Sequence, residues 1–158
     1  MKRPVWAEID LKALGSNVRE IRRVTDMSTQ IMAIVKANGY GHGVVPVSRV
    51  ALQNGASWIG VALLQEAILL REKGISAPIL VLGYTPVDDI EEVIRNEISQ
   101  TIFTWEDALA AASVAHSLGK KAKVHVKIDT GMGRLGFNSD PETVDIIYRL
   151  AHLPGLEV

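Results

Sequence analysis

The chain has no cysteine, which excludes a disulfide framework and any thiolate-ligated metal site. It has no run of about 18 apolar residues, the length that a membrane-spanning helix requires. It also lacks a dominant charge, with 17 basic residues against 18 acidic ones and a formal net charge of −1. A surface for a polyanion, nucleic acid above all, therefore has little to rest on. The four histidines, His42, His116, His125 and His152, form no His-x-x-x-His pair or other ligand spacing, so no metal site is expected. Glu8 and Asp10 interrupt any apolar segment near the N-terminus, which argues against a signal peptide. A cytoplasmic enzyme or binding protein is the default expectation.

What is present is an ordinary globular composition, 47% hydrophobic and 22% charged over 158 residues. That length suffices for one core but falls short of the roughly 250 residues of a complete (β/α)8 barrel. Short apolar runs predict strands at 5–10, 31–35, 58–61, 79–82, 99–103 and 123–128. Longer amphipathic runs predict helices at 11–24, 44–53, 64–73, 88–95, 105–118 and 141–153. Asp10, Thr104 and Asp140 are suitable N-caps, the last followed by Pro141 at a first helical position. Gly55, Gly74 and Gly119 stand just past helical runs, where a left-handed C-terminal residue favours glycine.

Regular alternation of buried strands and helices implies an α/β protein with a parallel sheet. An open doubly wound sheet could be complete at this length. The other architecture is an incomplete (β/α)8 TIM-type barrel containing the first five to six strand–helix units. Leu156-Glu157-Val158 looks like the start of a sixth strand, and an ending on apolar residues favours the interrupted barrel.

Two stretches carry chemistry. The first is Ile31-Met-Ala-Ile-Val-Lys36-Ala-Asn-Gly-Tyr40-Gly-His-Gly43. Five apolar residues suit a strand buried on both faces, and ligands in such sheets bind beyond the strands' carboxyl ends, where Lys36 falls. Desolvation there would free its amine as a nucleophile, as in Schiff-base formation with a phosphorylated aldehyde. Gly39, Gly41 and Gly43 allow closely packed amides, and Tyr40 and His42 add side-chain donors. Taken alone, Lys36 reads more readily as a strand-end lysine snorkelling to solvent than as a nucleophile. The loop lacks the Gly-Lys-Ser/Thr ending of a nucleotide P-loop.

The second stretch is Val124-His-Val-Lys127-Ile-Asp129-Thr-Gly-Met-Gly-Arg134-Leu-Gly136. Val124, Val126 and Ile128 alternate with His125, Lys127 and Asp129, giving one apolar and one ionisable strand face. Arg134, on a glycine-rich loop past the strand's carboxyl end, suits forked hydrogen bonding to a carboxylate, phenolate or phosphate. Lys36, Lys127 and Arg134 would then share one mouth with Asp129 as the only opposing charge, which calls for an anionic ligand.

These two strings closely resemble the cofactor-lysine motif and the arginine loop of alanine racemases. Trp6-Ala-Glu-Ile-Asp10-Leu resembles the opening strand of that family, and Pro78-Ile-Leu-Val-Leu-Gly83 its third barrel strand. The resemblance implies that Lys36 carries pyridoxal 5′-phosphate as a Schiff base and acts as the acid–base group on one face of the substrate Cα. It further implies that Tyr40 bonds the cofactor phosphate, and that Arg134 lies near the cofactor phenolic oxygen and the substrate carboxylate. Lys127 matches a lysine that is often carbamylated, and its carbamate would orient Arg134.

By the same likeness, residues 1–10 would pack on a C-terminal β domain and residues 11–158 would be a truncated barrel domain. The activity implied is interconversion of L- and D-alanine for peptidoglycan, in the cytoplasm, by a homodimer whose other subunit supplies a second acid. This chain would then be an N-terminal piece inactive alone. Two alternatives stay open. One is a non-enzymatic pyridoxal-phosphate-binding or homeostasis protein on the same barrel, and the other a racemase for another amino acid such as serine. A decarboxylase-type lyase shares the barrel and the lysine position, but both motifs follow the racemase wording.

Overall fold

A computed structural model describes residues 5–158. Six strands, β1 (Met32–Ile34), β2 (Trp58–Val61), β3 (Ile79–Val81), β4 (Ser99–Ile102), β5 (Ala122–Val126) and β6 (Leu156–Glu157), form one sheet in the order β1-β2-β3-β4-β5-β6. Every neighbouring pair is parallel. A doubly wound sheet reverses its strand order at a switch point. This sheet never does, so the strands progress around a barrel.

The register separates the faces. Ile59, Ile79, Val81, Ile102 and Val124 lie on one side, all buried, and pack with the helices. Trp58, Leu80, Ser99, Thr101 and His125 lie on the other. That second face is concave. Trp58 of β2 and His125 of β5 meet edge-on with ring centroids 5.3 Å apart. Three strand steps in a flat sheet would hold them about 14 Å apart.

The helices are α1 (Leu11–Val24), α3 (Val44–Gln53), α4 (Leu64–Glu72), α5 (Ile90–Arg95), α6 (Trp105–Ser117) and α7 (Pro141–Ala151), with a short left-handed element, α2 (Lys36–Tyr40), after β1. Their ends follow the punctuation. Asp10 accepts from Lys12 and Ala13 N–H, Thr104 from Asp107 N–H and Asp140 from Thr143 N–H. Gly55, Gly74 and Gly119 all have positive φ just past their helices. Arg71 staples the amino-terminal side of the sheet: its guanidinium donates to the carbonyls of Ile75, Ala77, Asn96 and Glu97 at 2.6–3.1 Å.

Three local expectations are corrected. Within the predicted strand 5–10, no residue joins the sheet, and Val5 and Trp6 are exposed; residues 1–4 lie outside the described part. A strand exists only where a ladder partner does, and none lies beside this segment among the described residues. The predicted helix 88–95 begins as a 3-10 turn, Val87–Asp89, before α5. The predicted strand 123–128 ends at Val126, because the backbone then turns into the loop that carries Arg134.

Candidate active site

All six strands point the same way, so the loops after β1 to β5 gather along one edge of the curved sheet. Lys36 opens the first of these loops. It is half-buried and follows Val35, which is fully buried. The next residues form one left-handed helical turn, with φ/ψ near 52/51 at Ala37, 55/45 at Asn38 and 63/39 at Gly39, and Tyr40 at φ 54. Glycine and asparagine tolerate this conformation, whereas alanine and tyrosine resist it by about 1–2 kcal/mol each. Gly39, Gly41 and Gly43 take positive φ, as a turn of closely packed amides requires, but Ala37, Asn38 and Tyr40 take it too, so the turn is strained. Such strain persists only where surroundings impose it.

Two side chains impose it. Asn38 Oδ1 accepts from Val44 N–H at 3.0 Å, tying the turn to the start of α3. Glu66 Oε1 accepts from Ala37 N–H at 2.6 Å, and its Oε2 accepts from Ala62 N–H at 2.9 Å and Leu63 N–H at 3.2 Å. One carboxylate thus joins the loop after β1 to the loop after β2. The loop after β3 abuts them. A Cβ on Gly83 would come within 2.6 Å of the Ala62 carbonyl oxygen. Buried Gln100 fixes that third loop, accepting from Thr85 Oγ1 at 2.7 Å and donating to the Gly83 carbonyl at 2.8 Å.

Tyr40 is exposed, and its hydroxyl makes no hydrogen bond among the described residues. His42, expected as a side-chain donor in this loop, has its Nδ1 3.0 Å from the carbonyl oxygens of both Gly39 and Tyr40, so the ring closes its own loop.

On β5, the pleat puts His125 and then Lys127 on the concave side, and Lys127 N–H still donates to Ile102 at 2.9 Å. Burial against Trp58 lowers the His125 pKa below its ordinary value. A neck follows, where Asp129 N–H donates to Phe137 and Phe137 N–H to Lys127, both at 2.8 Å. The intervening loop carries Arg134, which is exposed. The Asp129 carboxylate accepts from the backbone N–H groups of Gly131 (2.9 Å) and Arg134 (3.1 Å). These backbone donors, Gly131 first, hold its pKa below the usual carboxylate range.

Asp129 therefore organises the loop and does not oppose the guanidinium. Among the described residues, the ion pairs are Arg23–Glu20 and Arg95–Glu91. Lys36, Lys127 and Arg134 pair with no carboxylate, nor do they bond one another. No group of three or more potential metal-ligating side chains clusters among the described residues. No helix among them is long and apolar enough to cross a membrane.

Fold and site together define a parallel (β/α) barrel architecture whose carboxyl edge carries, at the first and fifth strand ends, cations in no ion pair among the described residues. Residues 9–158 match the family model described as alanine racemase, N-terminal domain, and the chain belongs to that family. An alanine racemase of Clostridium perfringens is 49% identical over 156 residues, covering 99% of this chain and 40% of that protein. The solved alanine racemase of Clostridium difficile 630 superposes with a TM-score of 0.94 at 40% identity, covering 99% of this chain and 41% of its own. A histidine racemase from Leuconostoc mesenteroides superposes at 0.83 with 32% identity, covering 92% of this chain and 39% of its own. The chain thus spans about two fifths of the length of the proteins it matches.

The sequence motifs singled out Lys36, Tyr40, Lys127 and Arg134, and the structure places all four on the carboxyl edge of the sheet. It missed Glu66. A glutamate at the third position of a helix reads as an ordinary cap, and nothing local signals a contact 29 residues away.

Proposed function

We propose that these residues form the cofactor-lysine half of a pyridoxal-phosphate-dependent racemase that interconverts L- and D-alanine. The observation that carries the reading is a half-buried lysine at the end of β1, rooted in an imposed left-handed turn and in no ion pair among the described residues. The donor set suits that cofactor. Lys36 supplies an amine for its aldehyde, Tyr40 a free phenol for its phosphate, and Arg134 a guanidinium for its phenolic oxygen or the substrate carboxylate. When bound, the cofactor supplies a conjugated ring that spreads the negative charge left when the substrate Cα loses its proton.

Lys36 Nζ would move a proton on one face of that carbon. Lys127 is read as a carbamylation site: its amine would take up carbon dioxide with loss of a proton, and the resulting anion would orient Arg134. In the family, the acid for the opposite face belongs to a later part of the longer protein. We therefore infer that residues 1–158 alone do not racemise alanine, and that the whole protein works as a cytoplasmic homodimer supplying D-alanine for peptidoglycan. Residues 1–10 would then pack on a C-terminal β domain.

A second reading keeps the chemistry and changes the substrate. Similarity to a histidine racemase over the same segment supports a side chain other than methyl, with specificity set elsewhere.

Borohydride reduction after incubation with pyridoxal phosphate, followed by peptide mapping, tests the site. Label is expected on Lys36 and absent in Lys36→Ala. Label confined to other lysines would refute the assignment.

A further inference from the structure

We propose that Glu66 is a positioning residue for Lys36, a role that rests on the cofactor reading above. The plain function of a glutamate at the third position of α4 is to cap that helix, and Oε2 does so through the N–H groups of Leu63 and Ala62. A cap needs only that oxygen. Oε1 instead reaches back to Ala37 N–H at 2.6 Å, the first peptide after the lysine. This is the shortest of the three contacts, and charge-assisted hydrogen bonds of this kind are the strong ones.

The peptide joining Lys36 to Ala37 is where the turn becomes left-handed, with Ala37 at φ 52. Alanine does not hold that conformation unaided. Asn38 fixes the far end of the turn through Val44, so Glu66 is the side chain that fixes the near end. If the Ala37 peptide rotated, the root of the Lys36 side chain would swing with it. Glu66 therefore sets the direction in which the amine leaves the sheet. It does so from a neighbouring strand–helix unit, making the lysine's aim a property of two units.

The test uses the 158-residue chain as wild type, Glu66→Gln and Glu66→Asp. Glutamine keeps one acceptor oxygen and must turn its NH2 group to either Ala37 or the start of α4, so it cannot serve both. Aspartate keeps the charge at the start of α4 but, one methylene shorter, no longer reaches Ala37. It serves as the second variant should Glu66→Gln not fold.

In the wild type, the Ala37 amide should exchange slowly with solvent. That protection should vanish in Glu66→Asp and weaken in Glu66→Gln. Borohydride-fixed labelling of Lys36 by sub-saturating pyridoxal phosphate should slow about tenfold in each. Labelling of the other lysines and the helical circular dichroism should be unchanged, a pattern that general destabilisation would not produce. Equal Lys36 labelling rates in all three proteins would overturn the positioning role alone. Absence of Lys36 label in the wild type would overturn the cofactor reading and the role with it.

Discussion

Replacing Gly136 with alanine should open the neck of the loop that carries Arg134. Gly136 has φ 140, a region alanine enters at a cost of about 1–3 kcal/mol. A Cβ there would also lie 2.4 Å from Asp129 N, 2.8 Å from Ile128 C and 2.9 Å from Asp129 Cα. All three are backbone atoms of the opposite side of the neck, so no side chain can rotate to make room. Relief requires separating the strands, which forfeits the two 2.8 Å bonds between Phe137 and residues 127 and 129, worth about 1 kcal/mol each.

Taken together, a local destabilisation of about 3 kcal/mol follows, which corresponds to a roughly 100-fold loss of amide protection. Hydrogen exchange at Asp129 and Phe137 reads it directly. Gly131→Ala is the control. Gly131 also has positive φ, but a Cβ there meets nothing within 4 Å, so its effect should be confined to backbone strain. Equal protection at Asp129 and Phe137 in the Gly136→Ala protein and the wild type would refute the steric reasoning.

Arg71→Lys should lower the thermal midpoint, because one ammonium cannot span four carbonyls held by a planar fork. A loss of about 3 kcal/mol, hence roughly 6–12 °C by circular dichroism, is expected, and an unchanged midpoint would refute it. His125 has its pKa lowered by burial, so the unfolded chain binds its proton more readily than the folded one. Its effect is absent above the unfolded value of about 6.5 and costs stability as pH falls through that value towards the lower folded one. Urea melts should therefore show stability falling from pH 7 to pH 5, and His125→Asn should flatten part of that slope. A steeper slope in the variant would contradict the sign.

Much of the architecture was legible because it is written in short-range signals. α1, α6 and α7 start where Asp10, Thr104 and Asp140 can accept backbone N–H groups, and helices end where a glycine follows. The strands show as apolar runs because both faces of a barrel sheet are covered. The barrel's progression was less legible, since strand order is a long-range property and two architectures fit the same alternation. The turn at Lys36 was harder still. Glycines at every second position announce a turn of positive φ, but the conformation is held at Ala37 by Glu66 and at Asn38 by Val44, which the motif does not show. Glu66, the anchor of that turn, has a sequence context that its capping role already explains. His42 reads as a donor in a glycine loop, and only coordinates show it folded onto its own carbonyls.

The sequential strand order has a consequence for how the molecule can be made. Each strand pairs with the one that follows it in the chain, so every new unit can dock on a template already formed as synthesis proceeds. The turn that roots Lys36 needs only Asn38, Val44 and the carboxylate of Glu66. Its parts are therefore all present before β3 emerges, and the arginine loop arrives two strands later. The lysine can be aimed first, and the cationic mouth assembles around it.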